Sequence, residues 1–150
     1  MKKLVLTLAM IAGLTSCNND DDSIIDPPVA DTKEYTLSEK NDSGVSGTVI
    51  FTKNDDGSTT VAFELEGTED GNMHPAHIHF GNAADGGEIA IPLEAVDGET
   101  GTSTTEITEL EDGTEITYEE LIDFDGYINV HLSADELETI VAQTDIGENA

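Results

Sequence analysis

Three of the chain's four histidines, His74, His77 and His79, fall within the eight-residue stretch HPAHIHFG (74–81). The fourth, His131, lies in YINVHL (127–132). Neutral imidazole is a good ligand for borderline metals, and a His-x-His pair joined by a distant strand histidine is the least that Zn or Cu(II) requires. A carboxylate, Asp85 or Asp145, could complete such a set. The competing reading makes these rings ordinary polar-face residues that shape a groove or buttress the Ala83–Gly87 loop.

Whether the rings can meet depends on the elements that carry them. On a β-strand alternate side chains share a face. His77 and His79 therefore point one way, and Ile78 and Phe80 point the other. The same sorting of 127–132 sets Ile128, Val130 and Leu132 against Tyr127, Asn129 and His131. If the apolar faces are buried, the imidazoles stand on the outer face, and neighbouring strands would bring His77, His79 and His131 together beside Tyr127 and Asn129. His74 precedes Pro75, which biases it toward extended geometry at the strand's entrance, from where it could fold back as a fourth ligand.

The rest of the domain reads as short alternating segments broken by turns. Gly47–Thr52 and Ser58–Glu66 flank the hairpin signal Asn54-Asp55-Asp56-Gly57. Ala76–Phe80, Glu88–Leu93, Thr102–Ile107, Tyr127–Leu132 and Thr139–Gln143 bring the count to about seven strands. Such spacing predicts an all-β sandwich rather than βαβ units. Capping-box spacings at Thr117–Glu120 and Ser133–Glu136 predict one or two short helical turns.

Ahead of the domain, MKKLVLTLAMIAGLTSC has the order of a secretory signal: charge, an apolar run from Leu4 to Leu14, then small residues. Leu14-Thr15-Ser16-Cys17 resembles a bacterial lipobox. It implies a signal peptide over 1–16 and a lipid on Cys17 that would hold the protein to a membrane. Residues 17–31 are acidic and proline-containing and read as a tether, leaving 32–150 as the domain. The acids after Cys17 also resemble export tags of surface lipoproteins, so the expected location is the outer membrane or cell surface. Cys17 is the only cysteine, so the domain holds no disulfide. Against 33 acids there are 5 basic residues and a formal charge of −28. That balance argues against nucleic acid as a partner and attracts cations.

The stretches HPAHIHFGNAADGGEIAIPL and GYINVHLS resemble the CHRD domain, named after chordin and found in bacterial secreted and lipid-anchored proteins. His77, Ile78, His79, Gly81, Gly87, Leu93, Tyr127, Asn129, Val130 and His131 match the family pattern, and the resemblance spans about Tyr35 to Gly147. It implies an immunoglobulin-like Greek-key β-sandwich and no established activity. The family's closing Gly-Glu-Ile-Arg-Gly stretch is replaced here by Glu138–Gln143, without arginine. A His-x-His strand is also similar to that of copper–zinc superoxide dismutase, but such an enzyme needs six histidines, an arginine and a disulfide. The expectation is a non-enzymatic, lipid-anchored module that binds a divalent metal, Zn or Cu, or an extracellular protein or glycan, at the His77/His79/His131 face. One alternative is a metal-dependent redox or hydrolytic enzyme with Glu88 as its base. The other is a purely structural module.

Overall fold

A computed structural model describes residues 30–150. The expected signal peptide, lipobox and all but the end of the expected tether lie outside the described residues. Eight strands, all antiparallel to their neighbours, form the domain: β1 (Thr32–Glu39), β2 (Ser46–Lys53), β3 (Thr59–Glu66), β4 (Met73–Phe80), β5 (Ile89–Asp97), β6 (Thr102–Ile107), β7 (Gly126–His131) and β8 (Ile140–Ile146). They close into a barrel in the order β1-β2-β3-β6-β5-β4-β7-β8. The seven-strand immunoglobulin-like Greek-key sandwich is therefore corrected to an eight-stranded closed barrel.

The strand absent from the sequence reading is the one that closes the ring. β1 carries only two buried apolar side chains, Tyr35 and Leu37, among exposed polar ones, which leaves too short an alternation to stand out. It pairs with β2 from Thr32↔Thr52 to Leu37↔Gly47, and then with β8 at Ser38↔Gln143 and Glu39↔Ala142. A tight turn links β1 to β2. Asn41 and Asp42 both adopt φ 55 and Ser43 N donates to Lys40 O at 3.1 Å. Asn and Asp tolerate this left-handed backbone better than most residues, and two such positions in a row suit a type I′ turn. The opposite weak point is β5 against β6, whose register is a single pair, Asp97↔Thr102. Further along, the Thr105 hydroxyl accepts from Glu94 N at 2.8 Å.

Phe51, Phe63, Leu37, Ile78, Ile128 and Ile146 are among the largest fully buried side chains and fill the barrel. Each such burial contributes roughly 1.5–3 kcal/mol against leaving the side chain in water. The helix α1 (Tyr118–Ile122), in the crossing from β6 to β7, packs against β2 and buries Tyr118 and Leu121. Thr117 caps it as expected, with a complete capping box to Glu120. The second segment, Ser133–Glu136, read as a turn followed by a strand, is a single hydrogen-bonded turn, Glu136 N→Ser133 O, followed by a second, Thr139 N→Glu136 O, and then β8. A short 3₁₀ turn, Gly147–Asn149, ends the described chain. Among the described residues no helix is long and apolar enough to cross a membrane.

Candidate metal centre on the β4–β7 face

β4 and β7 are neighbours, with His77 facing Asn129 and His79 facing Tyr127. Ile78, Ile128 and Val130 are fully buried inside the barrel, so the odd-numbered residues of both strands turn outward. His131 stands diagonally from His77 on that face, within reach of a long side chain. His77, His79 and His131 each offer one ligand atom, and these atoms all lie within 4.8 Å of one another. The shortest approach is His77 Nδ1 to His131 Nε2, 3.1 Å. Two imidazoles on one tetrahedral metal at ~2.0–2.1 Å per bond bring their nitrogens to about 3.3–3.4 Å, so this pair is nearly at its bound spacing.

Outward does not mean solvated. His79 is 9% exposed and His131 6%, while His77 is half-buried. The 81–87 loop folds over the face, pinned where Asp145 Oδ1 accepts from Ala83 N at 2.7 Å. Gly87 then clamps two rings at once. Its N–H donates to the Tyr127 hydroxyl at 2.9 Å, and its carbonyl lies 3.0 Å from His79 Nδ1. Tyr127 stacks on His79 with ring centroids 4.8 Å apart and 13° between planes. A carbonyl can only accept, so His79 Nδ1 carries the proton and Nε2 presents its lone pair. That nitrogen is buried and has no hydrogen-bond partner, as is usual when a backbone carbonyl orients a ligating histidine.

Two register shifts border the site: between Ile78 and His79 on the β5 side of β4, and between Val130 and His131 on the β8 side of β7. Such bulges re-aim side chains. Beside His77, Gln143 Nε2 donates to Asn129 Oδ1 at 2.7 Å, a buried pair that stiffens the neighbouring strands. Burial pushes His77 down to about 4, helped by the like charges that His131 and His79 would carry. Burial also lowers His131, with a partial offset from the Leu137 backbone and a further lowering from His79. Near neutral pH both rings present lone pairs rather than positive charge, which metal ligation needs.

Several expected residues fall elsewhere. His74 is not a fourth ligand. β4 runs unbroken through Pro75, so strand parity puts His74 with Ala76 and Ile78 inside the barrel, 1% exposed. Asp85 and Asp145 are outside the cluster. Asp85 accepts from Asn82 Nδ2, and Asp145 holds the loop. Glu88 is exposed and its backbone carbonyl accepts from Phe80 N, and it too is outside the cluster. Phe80, expected in the core, is 44% exposed. It faces Gly126 at the barrel rim and lies against Phe124, centroids 5.4 Å apart, rather than on the interior packing. The competing reading, in which the rings buttress the Ala83–Gly87 loop, holds at Gly87, whose carbonyl meets His79 Nδ1. What the Asp85-Gly86-Gly87 turn signal does not disclose is that the same residue also binds the Tyr127 hydroxyl.

The model of the CHRD domain family matches residues 30–136. It ends before β8, the segment that carries Gln143 and Asp145. No curated protein matches the chain, and no solved structure does.

Proposed function

The chain belongs to the CHRD domain family, and on that footing we propose that it is a binding module that holds one divalent transition metal, Zn or Cu, through His77, His79 and His131. The observation that carries this reading is the approach of three histidine ligand atoms to within 4.8 Å of one another, two of them 3.1 Å apart. His77 Nδ1, His79 Nε2 and His131 Nε2 would serve as donors. Three protein ligands would leave a fourth position for water or for a group from an extracellular protein or glycan. The fixed tautomer of His79 and the lowered His77 and His131 support the reading, since a ready site spends little on reorganisation or deprotonation.

A binding module is favoured over the metal-dependent hydrolytic enzyme because the cluster contains no carboxylate. Hydrolysis at such a metal needs a general base beside the open position, and Glu88 is not part of the group. The lipobox-like Leu14–Cys17 supports display of the module from a membrane, through lipid on Cys17, at the outer membrane or cell surface. The acidic surface, at formal charge −28, would raise the local concentration of cations around the site.

The test is a calorimetric titration of Zn²⁺ and Cu²⁺ into the untagged protein and into its His77→Ala/His79→Ala variant. The reading expects one tight site in the first and only weak uptake in the second. Equal weak uptake by both would leave nothing but diffuse binding to the acids.

A further inference from the structure

We propose that His74 is a positioning residue for His131, its ring supplying the ladder hydrogen bond that Pro75 cannot make. The inference rests on the reading of His131 as a metal ligand. Its structural part stands on the backbone pattern alone.

The register Ala76↔Val130, His77↔Asn129, continued by one residue, sets Pro75 opposite His131. In an antiparallel ladder only alternate residues exchange N–H and C=O with a given neighbour. Gly81 N donates to Asp125 O at 3.0 Å, so on the β7 side of β4 the exchanging residues are the odd-numbered ones: 81, 79, 77 and finally 75. His131 O is therefore the acceptor that should receive the amide of residue 75. Proline has no N–H, and an unmet backbone acceptor in a buried place is costly. His74 Nδ1 lies 3.1 Å from that same oxygen. A side chain inside the barrel thus replaces a missing main-chain donor.

The position of this bond gives it consequence. His131 is the last residue of β7, and on its other side the β7–β8 register slips between Val130 and His131. The β8 ladder resumes beyond that bulge at Leu132 N→Thr139 O, while the His74 ring secures the strand end toward β4, the strand that carries His77 and His79. His131 then holds its direction toward His77 from two strands rather than one. The carbonyl fixes the His74 tautomer as Nδ1–H. The remaining His74 Nε2 is buried and unpartnered, as expected of a ring recruited for one donor only.

The pair invites a double-mutant cycle with His74→Leu, Pro75→Ala and both together, read by Zn²⁺ titration and by thermal unfolding without metal. His74→Leu is expected to weaken Zn²⁺ binding by about tenfold or more, the usual effect of losing a partner that orients a ligand. In the double variant the alanine N–H can reach His131 O, so most of that loss should return. His74→Asn, whose amide nitrogen can take the Nδ1 place, should also bind better than His74→Leu. Equal weakening in His74→Leu and the double variant would overturn the proposal, as would no weakening in either. If the native protein bound no Zn²⁺, the metal reading would fail by itself, and the metal-free arm would still decide this one. There, rescue of His74→Leu by Pro75→Ala supports the shared acceptor and additive losses overturn it. A nitrogen NMR spectrum of the native protein offers a check without any variant. The Nδ1–H tautomer with a slowly exchanging ring proton is expected at His74, and an Nε2–H tautomer would contradict it.

Discussion

His77 and His131, on neighbouring strands, face each other nitrogen to nitrogen at 3.1 Å. In the metal-free state one ring must donate and the other accept. A metal between them would replace that proton with a shared Lewis acid at little cost in movement. Period-two alternation in β4 and β7, their direct pairing and the bulge beside His131 combine to produce this one distance.

The protonation behaviour of the pair sets a pH dependence. His77 is pushed down to about 4 and His131 is lowered, burial being the first cause in both, while a histidine in the unfolded chain titrates near ~6.5. Above that value neither state binds the proton, and the contribution of the folded pair is whole. As pH falls from ~6.5 toward about 4 the unfolded chain takes up protons that the folded chain refuses, so metal-free stability declines across this window. Denaturant unfolding at several pH values should show a decline that is shallower in His77→Gln. Identical pH profiles for the two proteins would contradict this assignment.

Gly87 tests the clamp. A Cβ there would stand 1.9 Å from Phe80 O and 2.9 Å from Phe80 C, so the loop must lift to admit it. Gly87→Ala is expected to cost about 1–3 kcal/mol and to release His79 and Tyr127 together, weakening metal binding as well. Thermal unfolding and Zn²⁺ titration would show both losses. A variant that kept its stability would mean that the loop does not rest on Phe80.

Closure of the barrel depends on β1, and Leu37 is its most buried side chain at 1% exposure. Leu37→Ala is expected to lose about 2–4 kcal/mol and to speed hydrogen exchange along the β1–β8 pairing at Ser38 and Gln143. A loss below ~1 kcal/mol would indicate that β1 adds little to the core.

The proposed membrane display would rest on Cys17. Cys17→Ser should move the protein from the detergent-extracted membrane fraction to the soluble fraction and abolish labelling by a radioactive fatty acid. Unchanged partitioning would remove the lipid from the account.

Much of the site could be read from strand parity, because a period of two needs only the local sequence. The same parity, carried one step further through Pro75, places His74 indoors. Treating the proline as a break in the strand hid that. What local sequence could not carry was anything set by chain closure or by a returning loop. Two apolar residues in β1 gave too little alternation to announce the eighth strand, and without it the ring reads as an open sandwich. Likewise, local sequence offers a contact between the rings and the 83–87 loop only as an alternative, and nothing in it says that His131 will end only 6% exposed. Phe80 fails the parity rule for a physical reason: at the rim there is no interior left to face.

The central claim is that one metal sits among His77, His79 and His131. X-ray absorption on the protein loaded with one equivalent of Zn²⁺ measures this most directly. The account predicts three imidazole nitrogens at ~2.0–2.1 Å with one exogenous oxygen ligand, reduced to fewer imidazoles in His131→Ala. A shell of oxygens alone, unchanged by that substitution, would place the metal on the acidic surface and contradict the account.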